Sequence, residues 1–171
     1  TKELAGDIGG NNGRNGTQLG DLAARLMAGS DGARVMMIET GGWDTHSRQQ
    51  QRLGVQARGL DALLVALKSG LAAEWANTLV IVATEFGRTA AVNGTGGTDH
   101  GTASALFLLG GNLRGGGKVQ ADWPGLSAAA LYEGRDLRPT ASLEIEVSSA
   151  IAAHYGLEAR AVKRALYPDL A

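Results

Sequence analysis

The chain has 171 residues, enough for one domain with a substantial core. Its 16 basic and 17 acidic residues leave a net charge of −1, and no basic stripe is interleaved with aromatics, which argues against a nucleic-acid partner. There is no cysteine, so disulfides, zinc–thiolate sites and a cysteine nucleophile are excluded; no apolar run approaches the roughly 20 residues that span a bilayer.

Glycine is abundant, at 26 residues, and clusters at Gly9–Gly16, Gly94–Gly101 and Gly110–Gly117. Such clustering reads as long loops on a regular scaffold. Residues 1–16 read as a flexible, polar entry. From Gln18 the apolar residues Leu19, Leu22, Ala23, Leu26 and Met27 form a helical stripe, with Thr17 placed to cap it and Gly29 to end it. Arg34 to Ile38 reads as a short strand. Ser47 is placed to cap a long helix over Arg48 to Lys68, whose stripe is Leu53, Ala57, Leu60, Leu64 and Leu67. Gly54 and Gly59 weaken it by about 1 kcal/mol each relative to alanine. A short helical continuation follows over Leu71 to Ala76.

Thr78 to Ala83 is continuously apolar and reads as a strand buried on both faces. Strand, amphipathic helix and strand predict a right-handed βαβ unit with parallel strands. Ala103 to Leu109 reads as a third strand, Lys118 to Asp122 as an edge strand, and Leu126 to Thr140 as strand followed by loop. Two helices close the chain, one from Ala141 to a stop at Gly156 and one over Glu158 to Leu166. The pattern predicts a single α/β domain over residues 1–171, a three-layer α/β/α sandwich around a mostly parallel sheet.

Open α/β sheets place their ligands beyond the carboxyl ends of parallel strands. Two loops sit there. Glu39 to Ser47 carries Asp44 and His46, which point to the same side in extended backbone because they are two residues apart. The loop after Val82 carries Glu85 and ends on Asp99–His100. Imidazole with carboxylate suits zinc, manganese or iron, so Asp44, His46, Glu85, Asp99 and His100 are candidate ligands for one or two divalent ions. Two ions about 4 Å apart would clamp a displacement at phosphorus or sulfur. Arg88 suits bidentate contact with a substrate anion, and Trp43 could wall the pocket. Each feature has a plainer reading: Asp44 as a helix cap, His100 as a core histidine, Glu85 as an ion-pair partner of Arg88, and Trp43 as a core anchor. His154, near a helix C-terminus, reads as structural. The glycine-rich run Gly94-Thr95-Gly96-Gly97-Thr98 is not a P-loop, since it lacks the Lys-Ser/Thr ending.

The motifs GGWDTH, TLVIVATEFGRT, NGTGGTDHG and ALFLLGGNLRGG, in this order, resemble the C-terminal part of bacterial proteins labelled "domain of unknown function 1501". The resemblance is strongest from Gly32 to Gly117 and extends to RDLRPT, HYGL and YPDL in the tail. It implies a relationship to the alkaline phosphatase and sulfatase superfamily, and with it a partial alkaline phosphatase-like sandwich. Asp44 and His46 match the first ligand set of that superfamily, and Asp99 with His100 the last. Glu85 falls where Asp-His often stands, but Phe86 occupies the place of the second ligand, a departure from a full two-metal site. The resemblance also implies that a nucleophile and one further Asp lie in an N-terminal half outside this chain, and that the parent is exported and periplasmic.

The expected function is therefore a phosphatase- or sulfatase-like, metal-dependent hydrolase domain acting on small anionic esters, incomplete alone. Thr84 and Thr98 are candidate attacking hydroxyls, but no neighbour in the sequence visibly activates either. Two other readings compete with it: a non-catalytic module of the same fold that binds a glycan, lipid or protein, and a purely structural domain.

Overall fold

A computed structural model describes residues 15–113 and 116–170. The predicted flexible entry lies almost wholly outside the described residues. The chain is a mixed α/β protein with small antiparallel sheets. It divides into two compact units: Thr1–Glu74 with Val92–Thr98, and Trp75–Ala91 with Asp99–Ala171.

The first unit is a helical pair, α1 (Gly16–Met27) and α2 (Gln49–Leu71). Thr17 does not cap α1; the cap position is Asn15, without a side-chain hydrogen bond. The leucine stripe predicted for α2 is not the face that packs best. The buried face is Gln56, Gly59, Leu63, Ala66, Leu67 and Leu71, whereas Leu53 is 41% exposed. Close approach explains the shift. A Cβ on Gly20 would lie 2.3 Å from the Leu63 carbonyl oxygen, and one on Gly16 would lie 2.0 Å from that of Gly59. The two backbones meet at the α1 glycines, and of the predicted stripe only Leu67 is buried, with Leu60 and Leu64 intermediate. Gly16 and Gly20 on α1 thus make the close approach to α2 possible, with Gly59 buried opposite Gly16.

Ser47 does not cap α2 either. Its backbone forms a bridge with Gly96, and the helix begins after Arg48, which adopts a left-handed φ of 46°. Arg34 to Ile38 is not a strand: no ladder forms, and Val35 and Met37 are 81% and 94% exposed.

In the second unit a 3-10 turn (Ala72–Asn77), which begins in the first unit, leads into β1 (Leu79–Val82). β2 (Gly87–Arg88), β3 (His100–Gly101) and β4 (Phe107–Gly110) follow. β1 pairs antiparallel with β4, Leu79 opposite Gly110, and β2 pairs antiparallel with β3, Arg88 opposite His100. The predicted mostly parallel sheet and βαβ unit are therefore not what these strands build. β1 is half-buried along its length rather than enclosed on both faces. Lys118 to Asp122 forms no strand, and Leu126 to Thr140 is a series of turns with bridges at Tyr132 and Asp136.

The last two helices match the sequence closely. α3 (Leu143–Tyr155) is capped by Ser142, whose hydroxyl accepts from the Ile145 amide, and ends at Gly156 with φ 66°. α4 (Ala159–Leu166) is capped by Glu158, which accepts from the amides of Arg160 and Ala161 at 3.1 and 2.8 Å. These bonds hold the Glu158 carboxyl below the usual range. Among the described residues no helix is long and apolar enough to cross a membrane.

Candidate metal centre

The first unit holds Asp44 and His46. Their side chains meet, with His46 Nε2 2.9 Å from Asp44 Oδ1, while Thr45 between them is 2% exposed. This is the alternation expected of extended backbone: two polar side chains outward, the intervening one inward. The contact suits two metal-binding arrangements. Neighbouring ligands of a tetrahedral ion sit roughly 3.3 Å apart, given bonds of about 2.0 Å, so the two atoms could share one ion. Alternatively, Nε2–H donates to Asp44, which fixes the tautomer with the lone pair on Nδ1 and orients the ring.

The loop that carries them is held from behind. Asn93 Nδ2 donates to the His46 carbonyl oxygen at 2.9 Å, and Thr95 Oγ1 donates to the same oxygen at 2.6 Å. The Thr98 amide donates to the Thr45 carbonyl at 3.3 Å. Asn93 Oδ1 in turn accepts from the amides of Thr95 and Gly97, each at 3.0 Å, and so rigidifies the segment that makes these bonds. The same segment caps α2: the amides of Arg48 and Gln49 donate to the carbonyls of Thr95 and Gly96 at 3.1 and 2.8 Å. Gly97 packs so closely that a Cβ would lie 2.2 Å from the His46 carbonyl carbon. The glycine-rich run is not a P-loop but a positioning segment. Asn93 and Gly97 position the Asp44–His46 loop; the legible signal was an Asn followed by Gly-Thr-Gly-Gly, a self-bonding turn composition.

The second unit holds Glu85, Arg88, Asp99 and His100. β2 and β3 carry Arg88 and His100 on opposed positions. The His100 ring stacks on Phe86 at 4.9 Å with 12° between planes, and the Arg88 guanidinium lies 4.8 Å from the Phe86 ring centre. Phe86 therefore supports the imidazole and a cation instead of supplying a ligand. Asp99 is exposed, and its backbone is paired with Thr89, its carbonyl accepting at 3.0 Å and its amide donating to Thr89 Oγ1 at 3.2 Å. Glu85 is exposed at a bend after β1.

A buried carboxylate absent from the sequence reading anchors this hairpin. Asp136 is 4% exposed and accepts from Arg135 Nε at 2.7 Å and Thr102 Oγ1 at 2.8 Å. Arg135 first, then Thr102, hold its carboxyl below the usual carboxylate range. Asp136 also bridges Thr89 through its backbone, so it steadies the strand next to Arg88. It carried no signal beyond its place in RDLRPT.

Asp44 and His46 of the first unit offer one carboxylate and one imidazole, both exposed, and His100 offers an exposed imidazole on the second. That donor set suits a borderline divalent ion and is consistent with a metal-dependent hydrolase-like site. Trp43, half-buried, donates through Nε1 to Thr40 Oγ1 at 3.0 Å. Neither threonine hydroxyl is poised for attack: Thr98 is 6% exposed and donates to Gln49 Oε1 at 2.7 Å, and Thr84 donates to the Phe86 carbonyl at 3.3 Å. His154 packs edge-on against Tyr155 in the last turn of α3, in keeping with a structural role.

A protein-family comparison matches residues 1–163 to the family described as "Protein of unknown function (DUF1501)". The chain belongs to this family. The DUF1501 match spans both units and every candidate ligand named above. No curated protein and no solved structure matches the chain.

Proposed function

We propose that this DUF1501 chain is the metal-binding portion of a phosphatase- or sulfatase-like hydrolase that acts on phosphate or sulfate esters. The observation that carries the reading is the Asp44–His46 contact at 2.9 Å, presented by a loop that three separate hydrogen bonds hold from behind. A solvated loop has no need of such fixing, whereas a ligand pair does.

In this reading Asp44, His46 and His100 hold a divalent ion, zinc, manganese or iron, and Glu85 and Asp99 complete a second ligand set. The ion supplies Lewis acidity that neutralises charge on the ester oxygens. Arg88 binds a non-reacting phosphate or sulfate oxygen, its guanidinium held over Phe86. Trp43 borders the substrate. The nucleophile comes from an N-terminal half of the parent, and the parent works in the periplasm.

The second reading, a non-catalytic module for a glycan, lipid or protein, draws on Phe86. It occupies the position of a superfamily ligand and is committed to stacking on His100. One experiment separates the two. The purified chain and its Asp44→Ala and His100→Ala variants are analysed for bound metal, then assayed with 4-nitrophenyl phosphate and sulfate as part of the full-length parent. Metal lost from both variants together with ester hydrolysis supports the hydrolase. Metal without turnover in the parent supports the module. No metal in the folded chain after incubation with excess zinc and manganese refutes the metal site.

A further inference from the structure

The stretch Arg34 to Glu39 meets no strand of this chain, yet it has the surface of one. Burial alternates along it: Val35, Met37 and Glu39 are exposed, while Met36 and Ile38 between them are half-buried. One face is therefore bare, with Val35 81% and Met37 94% exposed. The backbone is open as well. Among the described residues, no backbone hydrogen bond involves residues 34–42. Open strand edges are normally blunted by a lysine, a proline or a bulge. Here four apolar residues run without interruption between Arg34 and Glu39.

What fits this strand is the strand itself. Laid antiparallel on a second copy with Arg34 opposite Glu39, it puts Val35 opposite Ile38 and Met36 opposite Met37. Opposite charges then meet at both ends and apolar side chains meet in between, each opposed pair on one face. A slip of one residue loses the match, because Arg34 then falls opposite Ile38 or Thr40. We propose that Arg34–Glu39 is a self-association strand that pairs antiparallel with the same stretch of a second copy of this chain, in the register that sets Arg34 against Glu39. Arg34 also donates to the Ser30 carbonyl at 2.8 Å, a neutral partner that leaves its charge to act on the second copy. Odd-numbered residues of one copy oppose even-numbered ones of the other, so the two use different edges and each keeps one edge open. Six residues span only about 17 Å. The contact is therefore far smaller than a standard interface, and the association is weak and concentration-dependent.

The test is sedimentation velocity of the full chain at low salt over about 10–500 μM, where weak contacts register and surface charges are little screened. The sedimentation coefficient is expected to rise with concentration. Arg34→Glu and Glu39→Arg should each weaken the association at least about fivefold, because like charges then oppose each other at both ends. Mixing the two variants in equal amounts should restore it, since opposite charges face each other again across the mixed pair. Combining both substitutions in one chain should restore it too. Val35→Lys with Met37→Lys should abolish it. Melting temperatures check that the variants stay folded. If Arg34→Glu loses stability along with its Ser30 bond, Glu39→Arg and the double exchange still carry the test. A native chain that remains monomeric throughout overturns the proposal and leaves the stretch to a different partner. Association that the single reversals leave undiminished overturns it as well, and so does a mixture that fails to associate.

Discussion

The carbonyl oxygen of His46 accepts a hydrogen bond from Asn93 Nδ2 at 2.9 Å across a sequence separation of 47. That bond ties the loop of Asp44 and His46 to the Val92–Thr98 segment of the same unit. Asn93 also accepts from two amides of its own loop, so one side chain organises the turn and ties it to the ligand loop.

Asn93→Ala removes the donor and the acceptor contacts to Thr95 and Gly97. The expected cost is about 1–3 kcal/mol, read as a lower urea midpoint. Metal affinity should fall by about tenfold or more, although Asn93 offers neither imidazole nor carboxylate. Asn93→Asp keeps the acceptors and loses the donor, and should lie between the two in both measurements.

Gly97 and Gly94 make a matched pair. A Cβ at Gly97 would collide with backbone at 2.2 Å, whereas at Gly94 nothing lies within 4 Å. Gly97→Ala should therefore destabilise the chain by about 1–3 kcal/mol and displace His46, with a loss of metal uptake. Gly94→Ala should leave both within error. Thermal melts and elemental analysis of the two variants check this.

Metal should stabilise the fold. At about 100 times its dissociation constant a ligand specific to the native state adds about 2.7 kcal/mol, visible as a raised melting temperature that a chelator reverses. Asp44→Ala, His46→Ala and His100→Ala should each abolish the shift. Glu85→Ala decides between one ion and two: with a second ion, stoichiometry drops by one equivalent on its substitution.

Acid should weaken the second unit through Asp136. Its folded value is depressed by Arg135 and Thr102, so its contribution is fully present above the unfolded carboxylate value of about 3.9. The contribution is lost as pH falls below that value through the lower folded one. Urea midpoints should thus decline below about pH 4. Asp136→Asn should lower the midpoint at pH 7 and flatten the acid-side decline. Some slope should persist, because Glu144 and Glu158 are also held below the usual range.

The helices and the Asp44–His46 geometry were legible in the residues. Gly156 ends α3 and Glu158 opens α4 as expected, whereas the caps expected at Thr17 and Ser47 do not form. Such signals act within four residues and hold where no tertiary contact competes. The alternation that turns Asp44 and His46 outward around a buried Thr45 is equally local. The proposal of phosphatase-like chemistry draws on the family resemblance alone.

Strand partners were not legible, and the physical reason is general. An apolar run such as Leu79–Val82 states that a strand seeks burial, but neither its partner nor its direction is written in a two-residue period. Contacts decided that β1 meets β4 antiparallel and that Arg34–Ile38, equally apolar, meets no strand at all. The face α2 turns to α1 was decided the same way, by backbone approach at Gly16 and Gly20 overriding the leucine stripe. So was the support behind His46, because a hydrogen bond from Asn93 depends on a chain reversal that residues 47 apart cannot announce. Local backbone preference belongs to the residues themselves; pairing, packing faces and the fixing of the candidate ligands arise only when distant segments exclude water together.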